Sequence, residues 1–241
     1  MTLDLNCDLG EGEPIARTRA LMRAITSANV ACGGHAGNVS TMETCVRLCR
    51  QFGVNLGAHP GPWNRADFGR NISSITPDEL ELLLVHQVSA LERIASAQRV
   101  RLHHVKLHGA LYHASDNEPA LARRYLEVMK RWWPACMVYA RAGGRVVGAA
   151  YRAGVKVWPE VFGDRAYRDD GTLVPRDEPG AIIKSTAAVV KRVCLMRETE
   201  EMETISGHRL CLSGRTICVH SDTANSVALV RRIRKVMDDG E

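Results

Sequence analysis

Asp4, Asn6 and Asp8 alternate with Leu5, Cys7 and Leu9 in the run DLNCDLGE at residues 4–11. A strand turns successive side chains to opposite faces, so the three polar groups share one face and the apolar ones the other. The alternation recurs. In HHVKLHGALY, His104, Lys106 and His108 share a face opposite Val105 and Leu107. His59 is in phase with Asn55 and Gly57, His220 with Thr216 and Cys218, and Glu160 with Asp164. Any one of these alone is more often a hydrogen-bonded core histidine, an edge lysine or an internal ion pair. Four strand ends that finish in His, or in His plus Asp, point instead to polar faces converging on one site, because buried charges need partners. The chemistry open to such a site is bounded. Histidine is the natural general base near neutral pH. A lysine among carboxylates stays charged and stabilises an oxyanion or a phosphate. Aspartate with histidine holds a divalent metal and activates water. The residue types alone leave these three open.

These groups must be held by repeating strand and helix units. Strand-like runs lie near 2–8, 27–32, 54–58, 102–107, 136–140, 154–161 and 215–220. Helical patterns lie near 14–25, 40–52, 77–98, 117–132, 144–152, 181–200 and 223–238. Two helix starts read as capping boxes, Ser40 with Glu43 and Thr76 with Glu79, the second with Pro77 at the first helical position. Strands that alternate with helices imply a parallel sheet with right-handed crossovers, either an open sheet or an incomplete or distorted barrel. The whole chain, 1–241, reads as one domain. Two connections are long, His59 to Thr76 and Val161 to Gly180. Both follow strands, so both belong at the C-terminal edge of the sheet, where α/β sites form.

The composition narrows the function classes. Hydrophobic residues make up 45% of the chain and charged residues 24%, an ordinary globular balance. A net charge of +5 is too weak to argue for nucleic acid, and the basic run VRRIRK at 230–235 reads as a solvated helix face. No signal peptide or membrane-spanning run is evident, so a cytoplasmic location without membrane contact is expected. The eight cysteines include no C-x-x-C pair and are expected to be reduced, with Cys45 and Cys49 side by side in an interior. GAIIKST at 180–186 lacks the second glycine of a P-loop. No dinucleotide fingerprint follows the first strand, and no nucleophile elbow occurs.

The motifs DLNCDLGE, TSANVACGGHAG, GAHPG with the later FGR, HVKLHGALYH, EVFGDRAY, the PR and PGA of 175–181, and CVHSD run in this order through nearly the whole chain. Together they resemble the LamB/YcsF family, which includes the A subunit of the bacterial ATP-dependent 5-oxoprolinase. The resemblance implies a seven-stranded parallel β/α barrel, a distorted TIM-like fold similar to the glycoside hydrolase/deacetylase superfamily. It also implies conversion of 5-oxo-L-proline, ATP and water to glutamate, ADP and phosphate, with B and C partner subunits that share or bind the ATP. On this reading Asp8, His59, Lys106 and His108 are the catalytic residues. Asn6, His35, Arg70, Glu160, Asp164, Arg165, Arg176, His220 and Asp222 form the substrate pocket. A divalent metal, if used, would fall to Asp8, His35 and His59. A stand-alone metal-dependent amidohydrolase or deacetylase, or action on another lactam, is the alternative. The chain departs from the usual family pattern at Gly34, Asn38, Asn71 and Ser221.

Overall fold

The computed structural model describes residues 3–72, 74–221 and 225–238. Seven parallel strands close into a barrel. They are β1 (Asp4–Leu9), β2 (Ser27–Ala31), β3 (Asn55–His59), β4 (Leu102–Lys106), β5 (Met137–Arg141), β6 (Val157–Phe162) and, last in the ring, the short Thr216–Cys218. Two further strands, β7 (Glu201–Glu203) and β8 (Arg209–Cys211), form a separate antiparallel pair, so the closing strand is β9. It pairs with β1 on one side and β6 on the other, which leaves no edge among the seven. The expected β/α barrel is therefore present, and the open-sheet alternative is not.

The outer face of the barrel carries Leu5, Cys7, Leu9, Ala28, Val30, Leu56, Ala58, Val105, Val138, Val161 and Ile217, all buried. Each Val, Leu or Ile buried this way contributes about 1.5–3 kcal/mol. The helices α1 (Ile15–Met22), α2 (Val39–Phe52), α3 (Pro77–Ala97), α4 (Gly109–Asn117), α5 (Pro119–Trp132), α6 (Arg145–Ala153), α7 (Thr186–Thr199) and α8 (Ser226–Asp238) cover the barrel. Cys45 and Cys49 lie on α2 and are buried with free thiols, as their spacing implied. Among the described residues no helix is long and apolar enough to cross a membrane.

The inner face departs from the branched aliphatic layers usual in a β/α barrel. It holds Asp4, Asn6, Asp8, Ser27, Asn29, His104, Lys106, Tyr139, Glu160 and Thr216, all buried. A buried polar group without a partner is costly, so this interior must be satisfied internally. Asp4 accepts hydrogen bonds from the hydroxyls of Thr26 (2.5 Å), Ser27 (2.6 Å), Tyr139 (3.2 Å) and Thr216 (2.5 Å) and closes the floor of the barrel. One layer up, Asn29 donates to Asn6 Oδ1 and to Asp8 Oδ1, both at 2.7 Å, and accepts from His104 Nε2 at 2.7 Å. The register of β3 against β4 slips between Leu56 and Gly57, which brings Gly57 opposite His104. A β-carbon at Gly57 would overlap the His104 ring, so only glycine leaves room for that imidazole.

Several local expectations need correction. The box that starts α2 is made by Asn38 and Thr41, not by Ser40 and Glu43: Asn38 Oδ1 accepts from Thr41 N at 3.0 Å, and Thr41 Oγ1 accepts from Asn38 N at 2.8 Å. The box at Thr76 and Glu79 forms as expected. The segment after β4, where no helix was expected before 117, winds into α4, and Pro119 then starts the expected next helix. The expected helix near 181–200 begins only after an extended Ser185 cap, and the chain beyond α7 folds into the β7–β8 hairpin.

Candidate active site

The strand ends converge at the C-terminal mouth of the barrel. Asp8, Glu11, His59, Phe68, Arg70, Lys106, His108, Tyr112, Phe162, Arg165, Arg176 and His220 line a cavity of about 590 Å³ including its solvent-facing mouth. The two long loops supply the rim: Phe68 and Arg70 come from the 60–76 connection, and Arg165 and Arg176 from the connection after β6.

Lys106 sits at the base. Its Nζ lies 3.0 Å from Asp8 Oδ1, 2.9 Å from Glu160 Oε1 and 3.1 Å from Cys218 Sγ. Burial alone would lower the lysine pKa, but the charges on Asp8 and Glu160 outweigh it and hold the ammonium well above its ordinary value. Burial likewise works against the Asp8 carboxylate, and His59 and Lys106 overcome it, so its pKa lies well below the usual range. Burial keeps the Cys218 thiol protonated by pushing its pKa well up. Glu160 is completed by Asn6 Nδ2 at 2.9 Å and by the Tyr112 hydroxyl at 2.8 Å. A buried ammonium held between two carboxylates at the bottom of a cavity is suited to stabilising negative charge on oxygen.

Above it lies a cluster of imidazoles. His59 Nδ1 donates to the Lys106 carbonyl at 2.8 Å, and His108 Nε2 donates to the Phe68 carbonyl at 2.8 Å. A carbonyl only accepts, so these bonds place one proton on His59 Nδ1 and one on His108 Nε2. The other nitrogens, His59 Nε2 and His108 Nδ1, then face each other at 3.0 Å. Glu11 Oε1 lies 3.3 Å from His108 Nδ1 and 3.7 Å from His59 Nε2 and accepts from His35 Nε2 at 2.8 Å. His35 stacks on His108, with ring centres 3.5 Å apart. Burial raises the Glu11 pKa, but the bonds from His108 and His35 override it and bring it down to about 2. Burial lowers His35 to about 4, whereas for His59 the Asp8 charge overcomes burial and raises it.

Of the residues named from sequence, Asp8, His59, Lys106, His108, Arg70, Arg165, Arg176 and His220 line the cavity. Four others stand behind it. Asn6 and Glu160 brace Lys106, His35 braces Glu11, and Asp164 accepts from His220 Nδ1 at 3.0 Å and from its backbone N–H at 3.0 Å. Their place is thus one of support behind the wall rather than contact within the cavity. Asp222 lies outside the described residues. Arg165 is held by the Val174 carbonyl at 2.6 Å, and burial followed by repulsion from Arg176 lowers its pKa to about 10. Glu11, Tyr112 and Phe68 join the wall without having been expected from the strand pattern. Gly10, with φ +75°, turns the chain after β1 and so ends the alternation that would have pointed to Glu11.

Among the described residues two groups have the donor set for a metal: Glu11, His35, His59 and His108, and Asp8, Cys218 and His220. The set expected from sequence, Asp8 with His35 and His59, is divided between them.

Two departures from the family pattern have structural reasons. Asn38 is the cap of α2 and does not line the cavity. A β-carbon at Gly34 would overlap the Gly61 carbonyl and the Gln87 amide. Gln87 occupies that space and clamps Gly61 from both sides, accepting from its N–H at 3.1 Å and donating to its carbonyl at 2.7 Å.

Comparison with known proteins agrees with this architecture. The chain is 39% identical over 243 residues to a 5-oxoprolinase A subunit from Nitrobacter winogradskyi, covering 99% of this chain and 95% of that one. It is 41% identical over 242 residues to one from Pyrococcus horikoshii, with the same coverage. The crystal structure of a lactam utilization protein from Thermus thermophilus superposes with a TM-score of 0.91 at 31% identity, covering 100% of this chain and 97% of that one. The LamB/YcsF family model matches residues 3–241, and with that match spanning the barrel and every wall of the cavity, the chain belongs to the LamB/YcsF family.

Proposed function

We propose that this chain is the A subunit of an ATP-dependent 5-oxoprolinase and that its barrel mouth opens the lactam ring. The observation that carries the reading is the pairing, in one cavity, of a buried ammonium, Lys106, with an imidazole–carboxylate cluster, His59, His108 and Glu11. The names of its relatives point the same way. An unstrained five-membered lactam is a poor electrophile. Transfer of a phosphoryl group from ATP to the amide oxygen leaves the carbon open to water; the tetrahedral adduct then breaks its ring C–N bond, the nitrogen taking a proton, and a second water hydrolyses the resulting acyl phosphate to glutamate and phosphate. In this scheme the His59–His108–Glu11 cluster is where the attacking water loses its proton, a contribution of about 10²–10⁴-fold in rate. Lys106 stabilises the charge that builds on oxygen, and Arg165 with Arg176 at the rim hold the substrate carboxylate or the phosphoryl oxygens. Asp8 keeps Lys106 in place and charged.

The P-loop near miss at 180–186 runs into the Ser185 cap of α7. ATP is therefore assigned to a site shared with or held by partner subunits, the B and C subunits of such an enzyme. The test is production of glutamate and ADP from 5-oxo-L-proline and ATP, by this chain alone and with candidate partner subunits. Turnover that needs both partner and ATP supports the reading. ATP-independent release of acetate from N-acetylated sugars by this chain alone would favour a deacetylase instead.

A further inference from the structure

We infer that Glu11 Oε1, His59 Nε2 and His108 Nδ1 form a three-ligand site for a divalent cation of the zinc class. The first ground is the tautomers. Each histidine gives its other N–H to a backbone carbonyl, Lys106 for His59 and Phe68 for His108, both at 2.8 Å. This outer hydrogen bond is the usual support for a metal-binding imidazole, because it orients the ring and raises its basicity. The two remaining ring nitrogens, His59 Nε2 and His108 Nδ1, thereby meet at 3.0 Å inside a buried cluster, beside the Glu11 carboxylate. A positive charge between the rings, a shared proton or a metal ion, satisfies both nitrogens.

The second ground is the spacing. A tetrahedral ion with ligands at about 2.0–2.1 Å places its ligand atoms about 3.3 Å apart. The three edges here are 3.0, 3.3 and 3.7 Å. Three protein ligands with a fourth position on a cavity is the pattern of an open site rather than a closed structural one. Two imidazoles and one carboxylate favour zinc-like ions over magnesium or calcium, which prefer all-oxygen sets.

The third ground is His35. Its Nε2 donates to Glu11 at 2.8 Å, and its Nδ1 is buried with no hydrogen-bond partner. A proton on Nδ1 would be left unsatisfied in the interior, so the proton belongs on Nε2. His35 is therefore a positioning residue for the Glu11 carboxylate and not a ligand. The second group, Asp8 with Cys218 and His220, is excluded as a cation site by Lys106, whose ammonium lies 3.0 Å from Asp8 and 3.1 Å from Cys218. An ion at the first group would supply Lewis-acid polarisation to a molecule in the cavity. The site itself stands independently of which substrate that molecule is.

The test reads metal binding. The purified full-length chain is stripped with a chelator, dialysed, and titrated with Zn²⁺ and with Co²⁺. Bound metal is measured by mass spectrometry and the cobalt form by its visible absorption. The expected result is one ion per chain and an intense tetrahedral cobalt band. His59→Ala and His108→Ala should each weaken binding by more than about 100-fold, and His35→Ala by about 10–100-fold, the range for an outer-sphere partner. His208→Ala, at an exposed position remote from the cavity, serves as the unaffected control. Circular dichroism of each stripped variant separates loss of the site from loss of the fold, and Glu11→Gln provides a second, isosteric removal of a ligand. Absence of a stoichiometric ion in the folded wild type overturns the inference, as does binding that survives His108→Ala or that is lost with Cys218→Ser instead. If no ion binds but His108→Ala still abolishes lactam opening, the cation site is refuted while the proposed function stands.

Discussion

Lys106→Met removes the ammonium that lies 3.0 Å from Asp8 Oδ1 and 2.9 Å from Glu160 Oε1. Both carboxylates are buried, with residue exposures of 5% and 0%, so water cannot replace the lost charge. Breaking a buried ion pair from one side costs about 3–5 kcal/mol, because the remaining charge is uncompensated. For a chain of this size each kcal/mol is worth about 2–4 °C, so Tm should fall by about 6–20 °C. Glu160→Gln alone leaves Lys106 paired with Asp8 and keeps an oxygen within reach of the Tyr112 hydroxyl, so it should cost about 1–3 kcal/mol. In the Lys106→Met/Glu160→Gln double variant one of the two stranded carboxylates is gone. Its destabilisation should therefore be smaller than the sum of the singles by about 0.5–3 kcal/mol. Urea unfolding at pH 7, with matching m-values across the four proteins, measures this directly. Strict additivity, or a cost below about 1 kcal/mol for Lys106→Met, would refute the claim that Lys106 neutralises the barrel interior.

Three further outcomes are expected. Burial, with repulsion from His103 and Lys106, holds His104 well below the ordinary histidine value. The unfolded chain gains a proton near pH 6.5 that the folded ring refuses, so this share of stability is full above about pH 6.5 and declines as pH falls. His104→Gln should flatten the pH dependence of unfolding between about pH 6.5 and 5 by up to about 1.4 kcal/mol per unit; an unchanged slope would contradict the neutral, buried ring. Asp4→Asn offers one oxygen to hydroxyls that now reach two and sets an amide N–H₂ against the donors of Tyr139 and Thr216. It should cost about 1–3 kcal/mol, and a neutral result by calorimetry would show the floor network to be dispensable. Gly57→Ala collides with the His104 imidazole and should lower stability by at least about 1–3 kcal/mol, with His104→Ala in the same chain restoring part of it; no recovery would mean the strain lies elsewhere.

Period-2 alternation alone is enough to turn Asp8, Lys106, His108 and Glu160 to one side, and barrel closure then brings them around one cavity base. Alternation fails where the chain leaves the strand. Glu11 follows a left-handed glycine, Gly10, and reaches the cluster from a turn that no periodicity describes. Phe68 contributes a carbonyl, and any residue type carries one. Asp164 shares phase with Glu160, which suggests a pocket residue, but its carboxylate is taken up in holding His220. The β7–β8 hairpin is two three-residue strands in which only Met202 is buried, too short for an alternation to be read from sequence. Asn38 rather than Ser40 caps α2 because either side chain can accept at a helix start, and only the backbone path decides which one is extended.

The most direct test of the account is glutamate formation from 5-oxo-L-proline and ATP by the assembled complex carrying His108→Ala in this chain. The account predicts a loss of about 10²–10⁴-fold with the barrel still folded by circular dichroism and the partner subunits still bound. Full activity in that variant would contradict it and move the chemistry out of this cavity.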